Sequence, residues 1–251
     1  MLKVRVIPTL LYKSGLVKGV GFNSWRRVYT VLPAIKVYNM REVDELILLD
    51  IEATNEKRDP DYDEIRDFSR ECFVPFCVGG GICNIEQIRQ LLRAGADKVA
   101  INTAAYNDIA LITEGADLFG SQCIVASIDC RNIDGEYHCF SNDGTVDTGY
   151  MVEEWAKKVV DAGAGEILLT SVERDGTMQG YDIELIRRVT SCVSVPVIAS
   201  GGAGNYEHMR EAVMDGGASA VAAASIYHFT EQTPREAKEY LQEHGVAVRL
   251  M

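Results

Sequence analysis

Three aspartates and two glycine pairs are the residues of this chain whose types and spacing could perform chemistry. Asp50 and Asp129 each follow a short apolar run directly, and Asp175 lies in a polar loop. A carboxylate at the end of a buried strand can act as a general acid or base, because burial moves its pKa toward neutrality. The pairs Gly80-Gly81 and Gly201-Gly202 follow two other apolar runs and precede helical segments. Because glycine lets the backbone approach an anion and helix N-termini favour negative charge, both pairs predict phosphate-binding turns.

The two glycine pairs belong to an internal repeat. Residues 74–106 and 195–227 align without gaps, so that Gly80-Gly81 recurs 121 positions later as Gly201-Gly202. The same offset relates Asp61 to Asp182 further upstream. A repeat of this length is a half-domain rather than a solenoid unit. It predicts two half-barrels, residues 1–121 and 122–251, with one phosphate site in each.

Short apolar runs alternate with stretches of helical period along the chain. This alternation, at 251 residues and 47% hydrophobic content, predicts a single domain of the α/β class, a (β/α)₈ TIM barrel. Two Asp-Gly turn signals in the polar segment 132–149 predict a hairpin after the fifth strand. The predicted strands are 4–9, 46–51, 74–78, 97–101, 123–129, 166–171, 195–200 and 219–224, and the clearest predicted helices are 85–94, 151–162, 182–189 and 206–214.

In such a barrel the active site lies at the C-terminal ends of the strands. Strands three and four end in Gly80, Gly81, Asn102 and Thr103, which we call the N-half cup. Strands seven and eight end in Gly201, Gly202, Ala224 and Ser225, which we call the C-half cup.

The remaining strand ends supply further candidate residues. Asp129 is the candidate catalytic acid or base, whereas Asp50 either contacts the ligand or anchors a neighbouring loop. The sixth strand continues into a loop whose residues Ser171, Asp175, Gly176 and Thr177 are candidate ligand contacts. Within this loop, Asp175 is expected to order the loop or to bind a ligand hydroxyl.

Composition excludes several classes of function. The net charge of −12 argues against nucleic acid and against an anionic membrane surface as partners. Seven cysteines without a Cys-x-x-Cys pair favour free thiols over a zinc site, so we expect neither a metal nor a cofactor. No apolar run approaches 18 residues and the N-terminus reads as a strand, which indicates a cytoplasmic protein without a membrane span.

The sequence resembles the HisF family, the cyclase subunits of imidazole glycerol phosphate synthase. The resemblance covers essentially the whole chain and implies a barrel with two phosphate sites, paired with a HisH-type glutaminase that sends ammonia through it. By this resemblance Asp129 matches one of two catalytic aspartates, and Lys18 matches a mobile lysine of the first loop. The motifs that carry it are IPTLL, LLDIEAT, VGGGI, GADKVAINTAA, FGSQCIVASIDC, GAGEILLTSVERDGTMQGYD and PVIASGGAGN.

The resemblance extends to the opposite end of the barrel. The family closes that end with charged residues that gate ammonia, and the matching positions are Arg5, Glu45, Lys98 and Glu166. An ordinary surface cluster of ion pairs is the alternative interpretation of these four residues. Asp97, beside Lys98, matches the surface that faces the glutaminase.

The first strand departs from the family pattern. HisF proteins read Ile-Pro-Cys-Leu-Asp there, whereas this chain reads Ile-Pro-Thr-Leu-Leu, so Leu11 stands at the position of the second catalytic aspartate. Leucine cannot transfer a proton, and strand alternation turns Tyr12 away from the side that Leu11 faces. Loss of one general acid or base typically costs a factor of about 10²–10⁴ in rate.

Three functions remain open on the sequence alone. With Leu11 on the first strand, the chain resembles the HisF-like paralogues of surface-polysaccharide pathways, and this resemblance implies that it supplies ammonia to a third protein that amidinates a nucleotide-linked amino sugar. One alternative is a cyclase of histidine synthesis whose missing acid is replaced from elsewhere. The other is a non-catalytic barrel that binds a phosphorylated ligand and activates the glutaminase. The sister isomerase of histidine synthesis fits less well, because it also needs an aspartate on the first strand.

Overall fold

Eight parallel strands hydrogen-bond in a closed circle and form the barrel predicted from the sequence. The computed structural model describes residues 3–22 and 24–250, except for the side chains of Ser24 and Tyr29. The barrel strands are Arg5–Tyr12 (β1), Leu46–Asp50 (β4), Phe76–Gly79 (β5), Lys98–Ile101 (β6), Ile124–Ile133 (β7), Glu166–Ser171 (β10), Val197–Ser200 (β11) and Ala220–Ala223 (β12). They neighbour one another in this order, and β10 pairs with β7 while β12 pairs with β1, so the ring is closed.

Helices connect these strands and cover the outside of the barrel. The four helices predicted most clearly from the sequence are present within one or two residues of their predicted bounds. Within residues 3–22 and 24–250, none of the helices combines the length and hydropathy needed to span a membrane. The helices are Val31–Met40 (α1), Ala53–Glu56 (α2), Tyr62–Glu71 (α3), Ile85–Ala94 (α4), Thr103–Asn107 (α5), Ala110–Phe119 (α6), Val152–Asp161 (α7), Ile183–Thr190 (α8), Tyr206–Met214 (α9), Ser225–Phe229 (α10) and Pro234–Glu243 (α11).

The hydrophobic core has two separate parts because side chains alternate along each strand. One part lies between the strands and the helices, as with Leu10 on β1 and Trp155 on α7. The other part fills the barrel axis, and we call it the apolar layer. It consists of Ile7, Ile47, Cys77, Ala100, Val125, Leu168, Ile198, Ala220 and Ala222.

The polar residues of the internal repeat serve as helix N-caps at equivalent places. The side chain of Asp61 accepts a hydrogen bond from the Glu64 N–H at the start of α3, and Asp182 accepts one from the Leu185 N–H at the start of α8. Asn84 and Asn205 cap α4 and α9 in the same way. An N-cap oxygen satisfies one of the free N–H groups of the first helical turn. The repeat therefore preserves the residues that start the same helix in each half.

Two antiparallel hairpins extend the barrel sheet. The first comprises β8 (Glu136–Ser141) and β9 (Val146–Met151), which continue from β7 as the two Asp-Gly turns predict. Asp134 and Asp143 both have positive φ angles, of 52° and 56°, as such turns require.

The second hairpin, β2 (Leu16–Val20) and β3 (Ser24–Tyr29), is not predicted from the sequence. The family resemblance places segment 13–19, with Lys18, in the first loop, whereas residues from Leu16 onward form β2 in the structure. β1 continues past its predicted end at residue 9 to Tyr12, where it pairs with β2 on one side and with β4 on the other.

The two equivalent aspartate caps should differ in their contribution to stability. Asp61→Ala should lower the free energy of unfolding by about 1 kcal/mol, the usual cost of a lost N-cap. Asp182→Ala should cost roughly 1 kcal/mol more, because its Oδ1 also accepts the Tyr137 hydroxyl at 2.8 Å. Urea denaturation measures both, and Tyr137→Phe should cost nothing further in the Asp182→Ala background. Equal losses for the two alanine variants would contradict this explanation.

Candidate active site

A cavity of about 710 Å³ opens at the C-terminal ends of the barrel strands, and we call it the mouth cavity. It lies where the sequence predicts the active site. Most of the predicted site residues line its wall, and they come from both halves of the chain. They are Asp50, Gly80, Gly81, Asn102, Thr103, Asp129, Asp175, Gly176, Gly201, Gly202, Ala224 and Ser225.

Three predicted ligand contacts lie outside the cavity wall. Lys18 is on β2, only 3% exposed, and its Nζ has no hydrogen-bond partner among the described residues, whereas Gly19 faces the cavity. Burial lowers the pKa of Lys18 to about 8, although the nearby Asp175 charge opposes the shift. Ser171 faces the helices because the preceding Thr170 faces the cavity. The Thr177 hydroxyl donates to the Arg174 carbonyl oxygen at 2.7 Å within its own turn.

Asp129 is a buried carboxyl group in the wall of the mouth cavity. Its Oδ2 accepts a hydrogen bond from Asn102 Nδ2 at 2.7 Å. Burial raises the pKa of Asp129 to about 7, and the negative charges of Asp143 and Asp175 act in the same direction. Burial also raises the pKa of Asp175, to about 6. Asp129 can therefore donate or accept a proton near neutral pH, as a general acid or base requires.

Asp50 has the surroundings of a loop anchor. Its Oδ1 accepts the backbone N–H groups of Glu52 and Ala53 at 3.0 and 3.1 Å. Arg58 adds a two-point ion pair, with Nη1 at 2.7 Å from Oδ2 and Nη2 at 2.9 Å from Oδ1. With both oxygens engaged, the carboxylate holds the loop that follows β4 against the cavity.

Several cavity residues were not identified from the sequence. Lys13 Nζ lies 2.6 Å from Glu52 Oε1 and 3.7 Å from the centre of the Trp25 ring, on the rim of the mouth. Asp143, interpreted only as a turn residue, lines the cavity and accepts a hydrogen bond from Asn55. These contacts join segments far apart in the chain, so neither period nor local spacing indicates them. The one signal in the sequence is Glu52, a second carboxylate two residues after Asp50.

The glycine pairs of both cups adopt positive φ angles. Gly80 and Gly81 have φ angles of 106° and 71°, and Gly201 and Gly202 have 89° and 106°, values that favour glycine. A Cβ on Gly80 would collide with the Asp50 carbonyl, and one on Gly202 with the Gly180 carbonyl. The residues that start a short helix line the same cavity in each half, at α5 after Asn102 and at α10 after Ala224. N–H groups at such turns can bind anions, and in this structure the Gly81 N–H donates to Thr54 Oγ1 at 3.3 Å.

Leu11 lines the mouth cavity at the position where the resemblance expects a carboxylate. The flanking side chains face outward, as the alternation predicts. Leu10 is buried in the core under the helices, and Tyr12 packs against Phe68 while its hydroxyl donates to Glu64. Tyr12 therefore does not replace the missing acid.

Four charged residues form a closed ring at the opposite end of the barrel, and we call it the charged ring. Arg5 pairs with Glu45 at 2.5 Å and with Glu166. Lys98 Nζ pairs with Glu45 at 2.9 Å and with Glu166 at 2.8 Å, so each carboxylate is shared by both cations. Burial alone would lower the pKa of Lys98, but the two carboxylates outweigh it and raise that pKa.

The charged ring lies directly below the apolar layer. Each member stands two positions before a layer residue in the chain, as Arg5 does before Ile7 and Glu166 before Leu168. Asp97, the neighbour of Lys98, accepts the Phe76 N–H at 2.8 Å and is otherwise exposed.

The described residues of the cavity can support proton transfer and anion binding. Asp129 provides the titrating group, and the two cups provide N–H donors. Within the part of the chain that the structure describes, no group of three or more His, Cys, Asp or Glu residues is arranged to hold a metal ion.

Comparisons with known proteins agree with this arrangement. A model of the family described as "Histidine biosynthesis protein" matches residues 5–233. The imidazole glycerol phosphate synthase subunit HisF of Chlorobaculum parvum is 48% identical over 251 residues, which cover 100% of both chains. The HisF subunits of Chloroherpeton thalassium and Chlorobaculum tepidum are 47% and 46% identical over the same full length. The similarity therefore spans the barrel from end to end.

Removal of one charge from the charged ring should lower the free energy of unfolding far more than removal of a surface charge. Glu45, 1% exposed, is shared by two cations, so Glu45→Gln should lower the free energy of unfolding by about 3–5 kcal/mol. Asp63→Asn, which breaks an exposed pair with Arg66 on α3, should cost less than about 1 kcal/mol. Chemical denaturation at low and high salt measures both. Similar small losses would mean that the ring is an ordinary surface cluster.

The raised pKa of Asp129 should make stability fall as the pH rises. The folded protein keeps this proton up to about pH 7, whereas the unfolded chain releases it near its ordinary pKa. The stabilisation is thus complete below the unfolded pKa and is lost as the pH passes through the folded pKa. Asp129→Asn does not titrate, and its amide can donate to Asn102 Oδ1, which lacks a partner among the described residues.

The variant should therefore gain stability over the parent by an amount on the order of 4 kcal/mol between pH 4 and pH 8. Urea denaturation of both proteins across this range provides the measurement. A stability difference that stays constant with pH would show that Asp129 has an ordinary pKa.

Proposed function

The chain belongs to the HisF family of histidine biosynthesis proteins, and from this membership we propose that it is the synthase subunit of a glutamine amidotransferase complex. In this proposal a HisH-type glutaminase releases ammonia at the charged ring. The ammonia crosses the barrel and emerges in the mouth cavity, where a phosphorylated substrate is bound. The complex is proposed to be a cytoplasmic heterodimer.

The layered interior of the barrel supports the ammonia path. The charged ring of Arg5, Glu45, Lys98 and Glu166 closes one end, and we propose that it acts as a gate. Above it, an uncharged molecule such as ammonia could cross the apolar layer at little cost, whereas an ion would have to lose its hydration shell. Asp97 is exposed beside Lys98, a position that suits a contact with the glutaminase.

The two cups support a substrate with two phosphate groups. Gly81, Asn102 and Thr103 would bind one phosphate, and Gly202 and Ser225 the other, through backbone N–H groups and hydroxyls. The other cup residues, Gly80, Gly201 and Ala224, shape these turns. Asp175 and Gly176 lie in the cavity wall between the cups and are proposed to contact the remainder of the substrate.

Leu11 in the cavity wall is the observation that favours a paralogue over the cyclase within the family. With Asp129 as the only family aspartate in place, the two-carboxylate cyclization lacks one of its groups. We therefore propose a paralogue of surface-polysaccharide synthesis, in which ammonia passes to a third protein that amidinates a nucleotide-linked amino sugar. The charged ring and the cups remain useful in this role, because delivery of ammonia and response to a ligand need both.

The genuine cyclase of histidine synthesis is the second candidate function. The observation that favours it is the name of the three relatives described above, each an imidazole glycerol phosphate synthase subunit HisF. This function requires that another group replace the missing carboxylate.

Complementation of a cyclase-deficient strain separates the two candidates. The unmodified chain should fail to restore growth without histidine, because the loss of one acid costs about 10²–10⁴ in rate. Leu11→Asp should improve growth, since the new carboxylate would share the cavity wall with Asp129. The strain must carry its own glutaminase subunit, so that ammonia delivery is not limiting.

The matched control is the double variant Leu11→Asp with Asp129→Asn. It also has a single carboxylate, at residue 11 instead of residue 129, and it should not restore growth. Protein levels are compared by immunoblot. Robust growth with the unmodified chain would overturn the paralogue proposal and establish the cyclase.

A further inference from the structure

We propose that the floor of the mouth cavity is a binding subsite for ammonia, formed by the hydroxyl groups of Thr9, Ser127 and Thr170. These residues lie on β1, β7 and β10, and all three line the cavity. Each stands two residues beyond a member of the apolar layer on the same strand, namely Ile7, Val125 and Leu168. The subsite rests on the proposed function in one respect, that ammonia arrives through this layer.

Thr9 carries an unsatisfied hydroxyl at this position. The residue is only 6% exposed, and its Oγ1 has no hydrogen-bond partner among the described residues. A buried polar atom without a partner destabilises the folded protein, so native structures normally provide a partner. Because the side chain faces the cavity, a small polar molecule in the cavity is the partner that the geometry allows.

A second unsatisfied acceptor lies in the same wall. Asn102 donates through Nδ2 to Asp129 Oδ2, and this bond directs its Oδ1, which has no partner in the described part of the chain. Asp129 follows Ser127 by two residues and therefore faces the same side of β7. Thr9 on β1 and Asn102 after β6 thus offer two free oxygen atoms to the same cavity, and the Asp129 carboxylate lies beside Asn102.

The chemistry of these groups fits ammonia. Ammonia donates up to three hydrogen bonds and accepts one. A threonine or serine hydroxyl can donate to the nitrogen lone pair, and oxygens of hydroxyl, amide and carboxyl groups can accept the three N–H bonds. An anion would be repelled by Asp129 at this place, and a cation could not cross the apolar layer without a large desolvation cost.

Leu11 protects the subsite from water in this arrangement. It is the next residue after Thr9 that faces the barrel axis, and it lies in the cavity wall above the Thr9 hydroxyl. An apolar side chain there shields the subsite from the water of the mouth. A carboxylate at the same position would draw water to the subsite instead.

Binding can be measured with the chain alone, with ammonium chloride as the probe. Methyl spectra of threonine, labelled with ¹³C, are recorded near the pKa of ammonium, where both ammonia and ammonium are abundant. The Thr9 and Thr170 methyl signals should shift and saturate, while Thr145 at the cavity rim should stay unchanged. Sodium chloride at the same ionic strength should not reproduce the shifts.

Isosteric variants then test the hydroxyls. Thr9→Val should weaken the apparent affinity, followed at Thr170, by about fivefold, the factor expected for one lost hydrogen bond. Thr145→Val is the matched control and should leave the affinity unchanged. Ser127→Ala provides an independent variant if Thr9→Val does not fold.

Three results would overturn the subsite: shifts that do not saturate, equal shifts with sodium chloride, or an unchanged affinity in both Thr9→Val and Ser127→Ala. In each case the hydroxyls would hold water only. The titration contains neither glutaminase nor phosphorylated substrate, so its failure is distinct from failure of the proposed function. A chain that binds ammonia and also complements the cyclase-deficient strain would retain the subsite and lose the paralogue assignment.

Discussion

Closure of eight parallel strands into a circle is the constraint on which the other features of the structure depend. Once β10 pairs with β7, every second side chain must point to the barrel axis, and four tiers result. From one end to the other they are the charged ring, the apolar layer, the hydroxyl groups and the polar mouth. Arg5, Ile7, Thr9 and Leu11 on β1 represent one tier each. A change of a single strand residue therefore acts on one tier and leaves the others intact.

Much of this architecture follows from local sequence signals. Hydrophobic residues recur every two residues in the strands and every 3.6 residues in the helices, and these periods locate the eight strands and the main helices. The internal repeat locates both cups. The N-caps Asp61 and Asp182 repeat because each half must begin the same helices. The β2–β3 hairpin was not predicted, because its pairing with β1 depends on residues outside the hydrophobic pattern of the hairpin itself.

The rim of the mouth shows why part of the candidate site could not be predicted. The Arg58–Asp50 ion pair joins a loop to a strand end, and Asp143 approaches Asp129 only because the hairpin after β7 turns back over the cavity. Such contacts have no sequence period. Ser171 was predicted to contact the ligand but faces the helices. Side chains alternate along a strand, so a shift of one residue moves a side chain to the other face. The scaffold of the family is thus readable from sequence, whereas the mouth depends on contacts between distant segments.

The order of charges in the ring has an electrostatic consequence. Around the barrel the signs alternate, positive at Arg5, negative at Glu45, positive at Lys98 and negative at Glu166. Four charges in this order have no net charge and little dipole, so they form a quadrupole whose field decays steeply along the axis. The apolar layer can therefore lie against four ionised groups without being strongly polarised by them. A cluster of like charges, or a single ion pair, would extend its field much further into the barrel.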